Sequence, residues 1–269
     1  MSTLVPVKSG NNYDKDIVQL AGYYAYRSKK EGDSIKINDT IYTIRNIKED
    51  RISGLDAFTI ENYKTKEYYV IYVGTEDLAD TKTNIQLLSE LEPKQIAQAN
   101  DYFLEMSKKY NVTKVGGNSL GGGSANGVAV RNPGVTSVTL NAALLPEGMV
   151  DPNKKYDNIT NYYSGLDILM NAQMAGRLDN RVPGEKIEIN NGVPGLKNIV
   201  SNHMGYPDQE KGKFVYEIGK EGEIGSGKIE SGADAHIVTS AWTGQPLHGE
   251  SSGKIEINHE NLKMLEQGL

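Results

Sequence analysis

The feature that most constrains this chain is the run Val115-Gly-Gly-Asn-Ser-Leu-Gly-Gly-Gly-Ser124. It lies between a short β-prone segment, Val112 to Val115, and an apolar segment, Ala125 to Val130, suited to a buried helix. A turn this dense in glycine lets a strand and a helix meet without side-chain collision, and it leaves Ser119 to adopt a backbone conformation that side chains disfavour. Gly117-Asn118-Ser119-Leu120-Gly121 reads G-x-S-x-G, which between a strand and a helix is the spacing of a nucleophile elbow. The helix N-terminus beneath the serine would offer unpaired N–H groups to a developing oxyanion. A plain glycine turn or a phosphate loop is the competing reading. No Lys-Ser/Thr pair follows, as a P-loop needs, and a dinucleotide loop would fall nearer the start of its domain.

The surrounding order of elements fits the elbow. Asp14 to Arg27 carries Ile17, Leu20 and Tyr24 at helical spacing, and Ser34 to Asn62 contains three alternating pieces that read as antiparallel strands. Tyr68 to Val73 is a continuous β-prone run ending at Gly74, as in a strand buried on both faces. Pro93 opens a helix to Tyr110 whose Ile96, Ala99, Phe103, Met106 and Tyr110 share a face. Val135 to Leu140 and Ile159 to Tyr163 supply two more buried strands. The pattern predicts an α/β fold: an α/β-hydrolase-like, mostly parallel sheet flanked by helices, with function at the carboxyl ends of the strands.

A serine nucleophile needs a base, and the base needs an orienting carboxylate. The chain has no Cys, which removes a thiol nucleophile, a disulfide framework and a thiolate metal site, and it has four His: His203, His236, His248 and His259. In α/β-hydrolases the chain order is Ser, then Asp or Glu, then His. Asp167 fits best, placed just past a strand and a glycine turn in Asn161-Tyr-Tyr-Ser-Gly-Leu-Asp167, with Asp151, Asp157 and Asp179 in poorer context. His203 then follows as base, with His236 as the alternative. The oxyanion donors would be the N–H of Leu120 and a second group from the loop after an earlier strand; Val73-Gly74-Thr75-Glu76 offers Thr75. No metal and no organic cofactor are required by this chemistry.

These segments, with Asp77 to Leu88 and His203-Met-Gly-Tyr206, resemble a bacterial class 3 lipase-type α/β-hydrolase over about residues 12–207. The resemblance implies a nucleophile at Ser119, an acid at Asp167, a base at His203 and an oxyanion residue at Thr75. It departs at Val73, where the family has Arg before Gly-Thr. The activity implied is cleavage of carboxyl esters of lipids, of lipase or phospholipase A type, with a lipid or phospholipid substrate and transient membrane-surface contact. A soluble short-chain esterase, or a catalytically inactive α/β-hydrolase used for binding, is the alternative. Leu144 to Val150 or Met170 to Met174 would supply an apolar lid.

Charge marks a boundary. Of the net −6, residues 208–269 carry −5, from 11 acidic and 6 basic residues, and they hold 10 of the 29 glycines. The expected division is therefore a hydrolase domain over 1–207 and an acidic, Gly-rich, β-containing extension over 208–269. With no basic excess, nucleic acid is not an expected partner. Gly253 to Gln267 resembles the opening of the helical modules of type VII secretion substrates, and Trp242-Thr-Gly244 matches their W-x-G turn out of order. The implied protein is a lipase toxin secreted without a Sec signal peptide, part of a longer chain, with immunity or secretion proteins as partners. A plain extension on a cytoplasmic hydrolase is the alternative.

Overall fold

The computed structural model describes residues 12–22, 24–26, 29–37, 40–50, 55–74, 93–164, 178–189, 206–208, 213–218 and 227–231. Its strands are β1 (Ser34–Ile37), β2 (Thr40–Asp50), β3 (Leu55–Asn62), β4 (Tyr68–Tyr72), β5 (Val112–Asn118), β6 (Thr136–Leu140), β7 (Ile159–Ser164), β8 (Glu185–Ile189), β9 (Tyr206–Asp208), β10 (Lys213–Ile218) and β11 (Gly227–Ser231). Among the described residues these form one sheet in the order β1-β2-β3-β4-β5-β6-β7-β8-β10-β11, with β9 on β10. β4 through β8 are parallel neighbours, whereas β1 to β4 enter as an antiparallel meander. The alternating pieces of residues 34–62 thus form antiparallel strands, as their pattern predicts, and the Tyr68 run becomes the first strand of the parallel core.

Three helices, α1 (Asn12–Gly22), α2 (Pro93–Lys109) and α3 (Leu120–Arg131), are described with it. Helix α2 starts at Pro93 and buries Ile96, Ala99, Tyr102, Phe103 and Met106, the face its spacing predicts. Tyr110 lies just past the helix and stacks on Tyr68, ring centroids 4.6 Å apart. Helix α1 stops at Gly22, and Tyr24–Tyr26 form a separate 3-10 turn.

Strand β5 runs through Asn118, past the Val115 expected from composition, because its glycines sit where helices press on the sheet. A Cβ at Gly116 would strike Ile17 of α1, and one at Gly117 would strike the backbone of Gly121 in α3. Successive strand residues face opposite ways, so α1 covers one face of β5 and α3 the other. On the α3 side, Val70, Tyr72, Ala99, Phe103, Met106, Val115, Ala125 and Val128 pack into one apolar cluster. Burial on this scale, at about 1.5–3 kcal/mol per large side chain, is what holds the elbow's two flanking elements in place.

Inside this layer lies a polar network. Asn126 Nδ2 donates to Asn161 Oδ1 at 2.7 Å, Ser137 Oγ donates to Asn126 Oδ1 at 2.9 Å, and Thr139 Oγ1 donates to Asn161 Oδ1 at 2.7 Å. Asn161 Nδ2 in turn donates to the carbonyls of Pro183 and Glu185, at 2.7 and 3.2 Å. One side chain thereby joins α3, β6, β7 and the entry to β8. Being satisfied, the network fixes their relative placement without the cost of unpaired buried amides.

The first compact unit comprises Met1–Ala233 and the second Asp234–Leu269; β9, which spans residue 207, and β10 and β11 after it fall within the first unit. Leu144 and Leu145, expected in one candidate lid, are buried in the body. Leu145 N–H donates to the Arg181 carbonyl at 3.1 Å and Arg181 Nε to the Leu145 carbonyl at 2.7 Å. The other candidate, Met170 to Met174, lies outside the described residues. No described helix is long and apolar enough to cross a membrane.

Candidate active site

Ser119 occupies the turn between β5 and α3 with φ 55° and ψ −123°. This is a conformation non-glycine residues rarely accept, and strain of this kind persists only where surrounding structure enforces it. Here the enforcement is visible. Ser119 N–H donates to the Leu140 carbonyl of β6 at 3.1 Å, and the Ser119 carbonyl accepts from Gly123 N–H at 3.1 Å and from Ala143 N–H at 3.0 Å. The elbow is thus tied to its neighbouring strand, to its own helix and to the loop beyond β6.

Ser119 holds the N-cap position of α3, yet its side chain makes no capping hydrogen bond. The hydroxyl is therefore not committed to the helix end. By position, the first helical amides, including that of Leu120, have no intrahelical acceptor, and the helix dipole adds to their attraction for an anion. Leu120 thus stands where the sequence expects the first oxyanion donor.

The second expected donor lies one residue beyond a described position. A Cβ at Gly74, just past β4, would come 3.3 Å from Ser119 Cβ, 2.7 Å from the Asn118 carbonyl and 2.6 Å from Tyr26 Oη. The end of β4 therefore runs directly against the elbow, and only glycine permits the approach. Beyond β6, Asn141 is fully buried with φ 45°, and its N–H donates to the Tyr162 carbonyl of β7 at 2.8 Å. Asparagine tolerates this left-handed geometry better than most residues. The Tyr162 hydroxyl is pushed well above its ordinary pKa by burial, then by the charges of Asp14 and Glu185, so it stays neutral.

Thr75, Asp167, His203 and His236 lie outside the described residues. The strands that lead to two of them are described. β7 is parallel to β5 and β6 and ends at Ser164, pairing with the carboxyl end of β8 at Ser164↔Ile189; Asp167 follows three residues later. Among the described residues β10 pairs with β8 at Ile218↔Ile189 alone, antiparallel. The rest of β10, and β9 paired with it from Tyr206↔Val215 to Asp208↔Lys213, therefore lie beyond the carboxyl end of β8, on the elbow side; His203 precedes β9 by three residues. Among the described residues no group of His, Cys, Asp and Glu could hold a metal ion. Sequence reasoning did not single out Tyr26 or Asn141, whose places depend on contacts distant in the chain.

A strained serine on a strand-to-helix elbow, over parallel strands covered by helices on both faces, defines an α/β-hydrolase. The profile of a phospholipase-like family, described as the Tle-like phospholipase domain, matches residues 30–211. The chain belongs to that family. No curated protein matches the sequence. Solved structures similar to it include the Rhizomucor miehei lipase propeptide complex, with 16% identity, 72% of this chain and 78% of that chain covered, and a TM-score of 0.42. A triacylglycerol lipase from Penicillium expansum is 14% identical, over 69% and 80% of the two chains, with a TM-score of 0.46. A mutant of MDLA from Penicillium cyclopium is 11% identical, over 76% and 97%, with a TM-score of 0.49.

Proposed function

We propose that the protein cleaves carboxyl esters of lipids through an acyl-enzyme on Ser119, as a serine hydrolase of lipase or phospholipase A type. The observation that carries this reading is the backbone of Ser119, φ 55° and ψ −123°, enforced where the ends of β4, β5 and β6 converge. Ser119 Oγ attacks the ester carbonyl while His203 accepts its proton. Asp167 holds the imidazole tautomer and balances the imidazolium. The N–H groups of Leu120 and Thr75 receive the oxyanion, each donor worth about 3 kcal/mol in the transition state. The imidazolium then protonates the departing alkoxide, and water activated by His203 releases the acyl group.

The emergence of β7 toward Asp167 on the elbow side, and the placement of β9 just after His203, support these two partners. The family's description supports a phospholipid substrate. Residues 1–207 carry a net charge of only −1, so the body would meet an anionic lipid surface without strong repulsion. Export by the type VII route and association with secretion or immunity proteins belong to the same proposal, supported by the sequence resemblance of Gly253 to Gln267 to the opening of the modules such substrates carry.

Purified protein and Ser119→Ala are compared on p-nitrophenyl esters, on a panel of phospholipids and neutral glycerides, and with a fluorophosphonate probe. The expected result is turnover and labelling of the parent and neither in the variant. Undiminished turnover by Ser119→Ala overturns the nucleophile; turnover confined to soluble short-chain esters overturns the lipid substrate.

A further inference from the structure

The 3-10 turn after α1 places Tyr26 beneath the elbow, where sequence offers no role for it. Tyr26 is 4% exposed and Asn118, the residue before the nucleophile, 3% exposed. Asn118 lies on the α1 face of β5, two residues beyond Gly116, and its Nδ2 donates to Tyr26 Oη at 3.4 Å. A Cβ at Gly74 would stand 2.6 Å from that same hydroxyl and 2.7 Å from the Asn118 carbonyl. Three segments thus meet at the Tyr26 hydroxyl: the turn after α1, the end of β4 and the last residue of β5.

The Asn118 amide is half satisfied. Its Oδ1 is buried and has no hydrogen-bond partner among the described residues, and turning the amide over would only exchange which end meets Tyr26. A buried amide left so costs stability, and such costs concentrate at sites where position matters more than stability. Nothing here touches a reacting atom, so the arrangement acts through what it holds.

We propose that Tyr26 is a positioning residue for the oxyanion loop. Its hydroxyl, set against Gly74 and tied to the Asn118 amide, fixes the distance between the segment entering Thr75 and Ser119. The proposal rests on the reading of Ser119 as nucleophile and of the loop after β4 as the second oxyanion element. Because an oxyanion donor acts mainly in the transition state, a loop that relaxes by a fraction of an ångström lowers kcat and leaves KM nearly unchanged.

The test uses the full chain as parent, Tyr26→Phe, Asn118→Ala and Ser119→Ala. Steady-state kcat and KM on a p-nitrophenyl ester, the rate of fluorophosphonate labelling, the pH profile of kcat/KM and Tm are measured for each. For Tyr26→Phe the expected result is a kcat lower by about tenfold to a hundredfold and labelling slowed by the same factor. KM stays within about twofold, Tm falls by no more than about 4 °C, and the pH profile keeps its midpoints. Asn118→Ala, which removes the other half of the contact, gives the same signature and decides the matter if Tyr26→Phe does not fold. A lowered Tm with kcat and labelling rate intact, in whichever variant folds, overturns the proposal, as does a shifted pH midpoint. Turnover surviving in Ser119→Ala instead overturns the nucleophile and leaves the two failures distinct.

Discussion

Gly74 and Ser119 face each other across the carboxyl ends of β4 and β5 at a distance that would put a Cβ on Gly74 only 3.3 Å from the Cβ of Ser119. Gly74→Ala would also press on the Asn118 carbonyl and on Tyr26 Oη, at 2.7 and 2.6 Å. The backbone must move to relieve these contacts, and it moves away from the elbow. The expected outcome is a loss of esterase activity of about a hundredfold or more with stability lower by about 1–3 kcal/mol. Turnover and urea unfolding of the same preparation check both.

The strain at Ser119 predicts a separation between activity and stability. Ser119→Ala and Ser119→Gly both remove the hydroxyl, so both should lose about a thousandfold or more in kcat. They differ in backbone cost, because glycine accepts φ 55°, ψ −123° far more readily than alanine. Ser119→Gly should therefore be the more stable by about 1 kcal/mol or more, read from chemical denaturation midpoints. Equal midpoints would show that the elbow is not strained.

The elbow and the elements that flank it are legible in the amino-acid sequence because their signals are local. The G-x-S-x-G spacing, the β-prone run into Gly74 and the apolar face of α2 each lie within one element, and each is found where its pattern puts it. What is not legible is set by packing between distant segments. Gly116 and Gly117 look like turn residues but belong to β5, because α1 and α3 press on its two faces. Tyr26 reaches Asn118 from 92 positions away, and no periodicity announces that contact. Asn126 and Asn161 read as polar interruptions in apolar elements; only the fold supplies the partners that make them core residues.

That buried network yields its own prediction. Asn161→Leu removes the acceptor used by Asn126 and Thr139 and the donor to Pro183 and Glu185, leaving several buried groups unpaired. The expected cost is about 2–4 kcal/mol. Asn126→Leu alone should cost less, since Asn161 keeps its other partners, and the double variant should be less destabilised than the sum of the two. A double-variant cycle by denaturant unfolding measures the coupling; strict additivity would mean that the network is not a unit.

Asn141 offers a separation of backbone from side chain. It is fully buried at φ 45° and lies between the elbow and β7, so its conformation and its amide are both candidates for what matters there. Asn141→Gly keeps the left-handed backbone, whereas Asn141→Ala strains it by about 1 kcal/mol. If the turn geometry carries the function, Asn141→Gly should retain most of kcat and Asn141→Ala should lose more. Equal losses in the two variants would assign the role to the amide.

The entry sheet carries a charge cluster whose pH response has a definite sign. Glu61 of β3 is buried, 5% exposed, and accepts hydrogen bonds from Arg45 and Lys66. Burial pushes its carboxyl pKa up, but the bonds and charges of Arg45 and Lys66 outweigh this and hold it below the usual glutamate value. A folded-state pKa below the unfolded one contributes stability that is present above the unfolded value, about pH 4.3, and is lost as pH falls through the folded value. Asp14 and Asp56 have the opposite sign, because burial raises both; their contributions are lost as pH rises through their folded values. The Arg45 and Lys66 side chains remain 41% and 62% exposed, so solvent screens the pairs, and we expect Glu61→Gln to cost only about 1–2 kcal/mol at pH 7. The difference between parent and Glu61→Gln should shrink as pH is lowered from 7 to 3.5. Urea midpoints at pH 7, 5 and 3.5 test this, and a constant difference across the three would remove Glu61 from the acid response of the fold.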